Sequence, residues 1–321
     1  MQKLLQVKDL KTNFPLPRAM VKAVDGISFA IAQGETLGLV GESGSGKSVT
    51  ALSILRLVPS PGEIQSGEIW FHDQNLLQLS EADMRRVRGR GIAMIFQDPT
   101  AYLNPLMTVG SQVMEIIQVH EGLKKAHARE KTVEILDRVG IPSPAIRVDD
   151  YPHQFSGGMR QRILIAITVA SNPDLLIADE PTTALDVTIE AQILDLLRRL
   201  QSETGSSILL ITHDLAVIAE MCQQVAVMYA GRIIEAGATE DILSSPLHPY
   251  TQGLIQALPR FGQRKKRLTV IEGNIASASN PPPGCRFHPR CPIPKEICSR
   301  EPPPLIEVDG DHQVNCYEYV S

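Results

Sequence analysis

A glycine-rich stretch near the start of the chain carries residue types that bind phosphate. An apolar run at 36–40 predicts a buried strand, glycines follow at 41, 44 and 46, and Lys47 and Ser48 come just before a helical pattern. The glycines let successive backbone N–H groups converge on one anion, and the helix N-terminus adds partial positive charge. A glycine-rich turn with a chance lysine is the alternative, but the strand before and the helix after favour a phosphate loop.

We therefore expect the chain to bind a nucleoside triphosphate. Lys47 is expected to reach the outer phosphates, and the Ser48 hydroxyl is expected to ligate Mg²⁺. The residues expected around the phosphates form one continuous segment: Gly41, Glu42, Ser43, Gly44, Ser45, Gly46, Lys47, Ser48 and Val49.

An acidic pair follows a second apolar run. Residues 175–178 predict a buried strand that ends at Asp179 and Glu180. Because ligands of a doubly wound sheet lie outside the carboxyl ends of its strands, this pair is expected to face the phosphates. We expect Asp179 to hold Mg²⁺ through water, and Glu180 to orient and deprotonate the water that attacks the γ-phosphate. A solvated pair at a strand end is the alternative.

Two further polar residues follow predicted strands. Gln97 ends an apolar run at 92–96, and we expect it to ligate Mg²⁺ and sense the γ-phosphate. His213 follows the run at 208–212, and we expect it to hydrogen-bond the γ-phosphate. Either residue, taken alone, would more often be an ordinary loop residue. With Lys47 and Glu180, they complete the predicted catalytic set.

A second anion-binding device lies far along the chain. Ser156, Gly157 and Gly158 open a predicted helix, and a helix start built in this way binds anions. Two phosphate-binding elements so far apart in sequence suggest that they serve different ATP molecules across a dimer.

The order of predicted elements favours an α/β fold. Strands at 4–14 and 21–31 precede the phosphate loop, the segment from about 98 to 171 is mainly helical, and strands and helices then alternate. Such alternation predicts a mainly parallel sheet covered on both faces. We expect a nucleotide-binding domain at 1–258 and a Cys- and Pro-rich extension at 259–321, which begins with a linker at 260–267.

Composition limits the function classes. The chain has 321 residues, of which 43% are hydrophobic and 21% charged, and its net charge is −5. This charge gives no basic field that would attract nucleic acid. The best apolar run, at 163–170, has eight residues, against the roughly 18 that a membrane span needs. The start of the chain lacks the apolar core of a signal peptide, so we expect a cytoplasmic protein.

Together, these motifs resemble the ATPase subunit of ATP-binding cassette (ABC) transporters. The phosphate loop, Gln97, the Ser156–Met159 signature, the acidic pair, the loop at 184–186 and His213 occur in the family's order, over about residues 4–258. The resemblance implies a P-loop core with an antiparallel β subdomain and a helical subdomain at about 98–171. It also implies that Phe14 stacks on adenine and that Asp186 belongs to the ATP site. Met159 departs from the family, which commonly has Gln there.

A narrower resemblance concerns oligopeptide and dipeptide importers. The segments 97–105, 156–162 and 245–259 are similar to those of that subfamily, whereas 271–280 match its usual linker poorly. The resemblance implies a heterodimer with a second ATPase subunit, two membrane permease subunits and an extracytoplasmic peptide-binding protein, with this chain peripheral at the cytoplasmic face of the membrane. The surface after Gln97 is then expected to contact the permeases.

Four of the five cysteines lie in the extension. Cys285, Cys291, Cys298 and Cys316 leave five, six and seventeen residues between neighbours, which is wider than zinc-knuckle pairs. On their spacing, an iron–sulfur cluster, zinc and free or oxidised thiols all remain open. The subfamily resemblance implies a 4Fe–4S cluster. Cys222 is expected to be an inert core thiol.

We therefore expect an ATPase that powers import of di- or oligopeptides. The alternatives within the class are nickel, glutathione, opines or antibiotic peptides. A soluble ABC ATPase of repair or translation is disfavoured, because Lys47 and Ser156 lie only 109 positions apart without sustained heptads and the chain has one cassette. A metal-sensing scaffold built around the cysteines is disfavoured by the complete ATPase set.

Overall fold

The computed structural model of the protein describes residues 2–17, 19–183, 185–257 and 271–320. The chain divides into two compact units. The first unit comprises Met1–Leu77 and Leu210–Ser321, and the second comprises Gln78–Leu209. The described part of the Cys- and Pro-rich extension therefore belongs to the unit that contains the phosphate loop.

The strands of the described chain are short except for the first two. They are β1 Lys3–Leu16, β2 Ala19–Ala32, β3 Thr36–Val40, β4 Glu63–Phe71, β5 Gln74–Asn75, β6 Ile92–Ile95, β7 Leu175–Asp179, β8 Ser207–Thr212, β9 Gln224–Tyr229, β10 Arg232–Ala238, β11 Ile306–Asp309 and β12 His312–Val314.

The α-helices from 99 to 169 follow one another without a strand between them, and those from 187 to 221 alternate with strands. The α-helices of the described chain are α1 Lys47–Ile54, α2 Glu81–Val87, α3 Pro99–Tyr102, α4 Val109–Glu121, α5 Lys125–Arg138, α6 Pro144–Arg147, α7 Gly157–Val169, α8 Val187–Thr204, α9 Leu215–Met221, α10 Thr239–Ser244 and α11 Pro249–Ala257.

One sheet of the first unit is antiparallel. β1 pairs with β2 on one side and with β4 on the other, and β5 pairs with β4. Alternate apolar residues of β1, among them Leu5 and Val7, are fully buried, as expected of a strand with one face on the core. The predicted strands at 4–14 and 21–31 are confirmed as β1 and β2.

The other strands of the first unit carry the phosphate loop. β3 runs parallel to β9, β9 pairs antiparallel with β10, and β10 continues through β12 to β11. All five residues of β3 are buried, which is why its sequence is a continuous apolar run rather than an alternating one. The prediction of an α/β fold with parallel and antiparallel sheets is confirmed.

The second unit places a parallel strand pair beside helices. β6 and β7 pair from Ile92 with Leu175 to Ile95 with Ala178. In sequence, the described helices from 99 to 169 come after β6 and before β7. Among them, α4 packs against α5 and α7. β8, whose six residues are all buried, crosses the division between the units.

Helix starts follow directly from the sequence. Thr108, Ser156, Asp186 and Asp214 precede α4, α7, α8 and α9, and each side chain accepts a backbone N–H of the first turn. Such caps contribute about 1 kcal/mol each. Across the described residues, none of the helices is long and apolar enough to cross a membrane.

Candidate functional site

The phosphate loop joins the buried end of β3 to the N-terminus of α1. Gly44 and Gly46 have φ of 80° and 105°, in the left-handed region that favours glycine. Gly46 also allows a close approach, because a Cβ there would lie 2.3 Å from the Ala23 carbonyl oxygen. The hydroxyl of Ser45 is buried without a hydrogen-bond partner among the described residues. A glycine cradle at a helix start fits a polyphosphate.

Lys47 is held inside this loop. Its side-chain Nζ donates to the carbonyl oxygens of Gly41 at 2.7 Å and Glu42 at 3.1 Å. Residue Lys47 is only 5% exposed, whereas Ser48 beside it is exposed. The loop thus pre-positions one cation at its centre and presents one hydroxyl outward.

Replacing Gly46 by alanine is expected to weaken ATP binding by about five- to 150-fold, because strain and the clash at Ala23 together cost about 1–3 kcal/mol. Isothermal titration of the full chain measures this. Gly122→Ala is the matched control, since Gly122 also has positive φ, at 69°, but a Cβ added there would meet nothing within 4 Å. Equal ATP affinities for the two variants would contradict the prediction.

The second unit brings Gln97 and Glu180 together. Each lies two residues beyond the paired strand residues Ile95 and Ala178. The Gln97 side-chain Nε2 donates to Glu180 Oε2 at 2.9 Å, and the Thr183 hydroxyl donates to the same oxygen at 2.9 Å. The carboxylate is therefore oriented by two donors from different segments.

The backbone at Glu180 is unusual. Its φ is 46°, which is uncommon for a residue other than glycine. Asp179, the last residue of β7, is 6% exposed. Residues held in such a conformation often belong to functional sites. Within the second unit, the carboxylate of Asp179 and the amide oxygen of Gln97 are oxygen ligands of the kind that Mg²⁺ prefers.

The helix start at Ser156 is exposed and well supported. Ser156 and Gly157 are exposed, and the Ser156 hydroxyl accepts the Met159 N–H at 3.4 Å. Arg147 lies over the Phe155 ring at 4.3 Å and contacts the Met159 sulfur at 3.6 Å. The thioether of Met159, where the family commonly has Gln, therefore contacts the arginine that packs on this loop.

Three further predicted site residues, Asp186, His213 and Phe14, are described by their local surroundings. Asp186 caps α8 by accepting the Ile189 N–H at 3.0 Å, and Ala184 lies outside the described residues. His213 follows β8 and is exposed. Phe14 is half-buried, and its ring packs against Gly62. The contact is close, because a Cβ added to Gly62 would lie only 2.5 Å from a carbon of the ring.

The prediction of an iron–sulfur cluster is wrong, and so is the zinc alternative. Cys285, Cys291, Cys298 and Cys316 are free thiols around one cavity of about 20 Å³, which has room for about one water molecule. Burial raises the pKa of Cys285 to about 11, so its thiol is neutral at pH 7. Within the described ranges, no group of three or more His, Cys, Asp or Glu residues could hold a metal ion.

Sequence reasoning missed two residues that contact the phosphate loop. The Tyr250 hydroxyl accepts the Glu42 N–H at 3.0 Å, and the Arg290 guanidinium pairs with the Glu42 carboxylate at 2.8 Å. Tyr250 lies inside the segment 245–259 that resembles importer ATPases, and this resemblance is the sequence feature that could have indicated its role. The sequence around Arg290 contains no motif that indicates a contact with the phosphate loop.

Two family models match the chain, and curated relatives cover nearly all of it. The family model described as ABC transporter matches residues 24–183, and the model described as Oligopeptide/dipeptide transporter, C-terminal region, matches 234–298. The chain is 49% identical to the Dipeptide transport ATP-binding protein DppD of Haemophilus influenzae, over 98% of this chain and 95% of the relative. It is 46% identical to the Oligopeptide transport ATP-binding protein AppD of Bacillus subtilis, over 99% and 98%.

Solved structures show the same fold. The ATP-binding cassette MJ0796, described as dimeric in a post-hydrolysis state with ADP and Pi, has a TM-score of 0.66 and 25% identity, over 73% of this chain and 98% of that one. The cbiO1 protein of Clostridium perfringens, described as part of the cbiONQ ABC transporter complex, has a TM-score of 0.65 and 28% identity, over 76% and 92%. The chain belongs to the ABC transporter family, as an ATP-hydrolysing protein of its oligopeptide/dipeptide branch.

Proposed function

We propose that this ATPase powers the import of di- or oligopeptides across the cytoplasmic membrane. The observation that carries the proposal is the match of residues 234–298 to the C-terminal region of oligopeptide/dipeptide transporters. Relatives along nearly the whole chain are named for dipeptide or oligopeptide transport. The substrate itself is bound by other subunits, so the C-terminal region supplies the distinguishing signal.

In the proposed reaction, Lys47 and the loop N–H groups bind the β- and γ-phosphates. Ser48, Gln97 and Asp179 would hold Mg²⁺, which neutralises charge developing on the phosphates. Glu180 takes the proton of the attacking water, and the donors Gln97 and Thr183 keep its carboxylate oriented. His213 would contact the γ-phosphate, and Phe14 would stack on adenine.

Two ATPase subunits are proposed to close head to tail on ATP. The exposed helix start at Ser156, Gly157 and Gly158 would bind the γ-phosphate of the partner subunit's ATP, with Asp186 close to the same interface. Hydrolysis would reopen the pair. The proposed partners are a second, paralogous ATPase subunit, two permease subunits and an extracytoplasmic peptide-binding protein, with no nucleic acid. The chain would be peripheral at the cytoplasmic face.

An exposed apolar segment of the second unit is proposed to receive a permease helix. Tyr102 and Leu106, shortly after Gln97, are 51% and 86% exposed. The Tyr102 ring stacks on Phe96 with centroids 3.8 Å apart, and Phe96 immediately precedes Gln97. A contact on Tyr102 is thus connected by packing to the residue that orients Glu180.

The proposal is tested by affinity purification of the chain from detergent-solubilised native membranes, followed by mass spectrometry. We expect two polytopic proteins and a second cassette ATPase. Peptide uptake by vesicles containing the recovered complex then tests the substrate, with nickel and glutathione as competing solutes. Recovery of the chain without membrane proteins, or uptake of nickel alone, would contradict peptide import.

Replacing Leu106 by aspartate is expected to reduce permease co-purification by about tenfold, since losing a buried leucine contact costs about 1.5–3 kcal/mol. Leu305→Asp is the matched control, because Leu305 is 56% exposed but lies in the extension. The ATPase rate of the isolated chain should not change. Equal permease recovery with both variants would argue against this segment as the contact.

A further inference from the structure

Arg290 connects the C-terminal extension to the phosphate loop. Its Nη1 and Nη2 donate to the two Glu42 carboxylate oxygens at 2.8 and 3.2 Å. Its Nε and Nη2 donate to the carbonyl oxygens of Glu272 at 3.0 Å and Ile271 at 3.2 Å. The Arg290 side chain is only 5% exposed. A bidentate salt bridge between arginine and a carboxylate is among the stronger and more directional polar contacts in proteins.

Glu42 is held through its backbone as well. Its N–H donates to the Tyr250 hydroxyl at 3.0 Å, and its carbonyl oxygen accepts from Lys47 Nζ at 3.1 Å. Tyr250 is fully buried and packs edge-on against Phe287, a residue of the extension, with centroids 5.4 Å apart. The extension therefore fixes both the backbone and the carboxylate of one loop residue.

Arg286 supports the other end of the loop. It donates to the Ala230 carbonyl oxygen and pairs with Asp25. The adjacent Gly231 N–H donates to the Ser45 carbonyl oxygen at 2.7 Å. Burial by itself would raise the pKa of Asp25, but the hydrogen bond from Arg232 and the nearby arginine charges hold it below its usual range, so the carboxylate is ionised at neutral pH.

The charge of Glu42 makes Arg290 relevant to nucleotide binding. Glu42 lies between Gly41 and Ser43, inside the loop that gathers a polyphosphate, and an unpaired carboxylate there would repel the ligand. The positive charge of Arg290 neutralises the Glu42 carboxylate. Because the Arg290 side chain is mostly buried, dissolved salt screens this ion pair only weakly.

We propose that Arg290 is a positioning residue for ATP: by neutralising and orienting Glu42, it makes the C-terminal extension a part of the nucleotide site. This rests only on ATP binding by the loop and is independent of which solute is imported. ATP binding is then tighter while Arg290 contacts Glu42.

The test measures ATP dissociation constants of full-length variants by isothermal titration. Arg290→Gln is expected to weaken ATP binding by about five- to tenfold, because it leaves the Glu42 charge uncancelled. Adding Glu42→Gln to that variant should restore affinity to within about twofold. Arg290→Lys, which keeps the charge but not the fork, should lie between them. Arg300→Gln is the control, since Arg300 pairs with exposed Glu296 elsewhere in the extension.

Steady-state kinetics provide a second readout. Arg290→Gln should raise the KM for ATP while kcat at saturating ATP is kept, whereas partial unfolding would lower the apparent kcat and leave KM unchanged. If Arg290→Gln does not fold, Glu42→Gln alone decides: its amide still accepts from Arg290, and loss of the negative charge should tighten ATP binding by about twofold.

Weaker ATP binding by Glu42→Gln, or no rescue of Arg290→Gln by it, would overturn the proposal. A failure of peptide import with this rescue intact would contradict only the proposed transport function.

Discussion

Replacing Glu180 by glutamine is expected to lower steady-state ATP hydrolysis by about 10²–10⁴-fold, the usual contribution of a positioned general base. Glutamine has nearly the same shape and keeps one oxygen that can accept from Gln97 and Thr183, which hold Glu180 at 2.9 Å each. It cannot take a proton from water. ATP binding should persist, because the phosphate-loop residues are unchanged, and ATP-bound dimers should accumulate.

Phosphate release and ATP binding by the same preparation measure the two effects separately, and size-exclusion chromatography with ATP measures dimerisation. Glu190→Gln is the matched control. Glu190 is a half-buried glutamate of the same unit that accepts from the Thr182 hydroxyl at 2.7 Å. A Glu180→Gln chain that hydrolyses ATP as fast as the Glu190→Gln chain would exclude Glu180 as the base.

The contact between Gln97 and Glu180 could be predicted from the sequence, because both residues follow apolar runs that predict neighbouring parallel strands. The side chains just beyond the carboxyl ends of neighbouring parallel strands lie close together. The phosphate loop could be predicted for a similar reason, since its backbone conformation depends on glycines within eight residues. In both cases the decisive information is local.

The contact between Arg290 and Glu42 could not be predicted, since the two residues lie 248 positions apart in sequence. An arginine in a polar segment is ordinarily solvated, and only the folded chain shows that this one is buried. The prediction of an iron–sulfur cluster at the four cysteines was wrong for a related reason. Their spacing leaves a cluster, zinc and free thiols open, and the resemblance to the importer subfamily implies the cluster, but neither contains information on the cavity of about 20 Å³ between the four thiols.

The strands β11 and β12 have a local signal in the sequence. Gly310 and Asp311 form a two-residue turn between the paired residues Asp309 and His312, and Gly310 has φ of 57°. The prolines at 302–304 favour irregular structure in this segment, so the sequence alone does not predict the two strands. These strands matter because β12 pairs with β10 and brings His312 to Glu235.

Replacing Glu235 by alanine is expected to lower the free energy of unfolding by about 3–5 kcal/mol, the cost of removing one partner from a buried polar network. The Glu235 side chain is completely buried. It accepts the N–H groups of Leu247 at 2.6 Å and His248 at 2.9 Å, and it pairs with His312 Nε2 at 2.8 Å. Alanine would leave these donors buried without an acceptor.

Urea denaturation followed by tryptophan fluorescence measures this effect, because Trp70 is the single tryptophan and lies on β4 of the first unit. Glu307→Ala is the control: Glu307 is exposed, lies on β11 and accepts from the Gln313 amide, so its loss should change the free energy by less than about 0.5 kcal/mol. Since Glu235 ties β10 both to the start of α11 and to β12, its loss should also loosen the segment that supports Arg290. Identical urea midpoints for the two variants would contradict the predicted loss of stability.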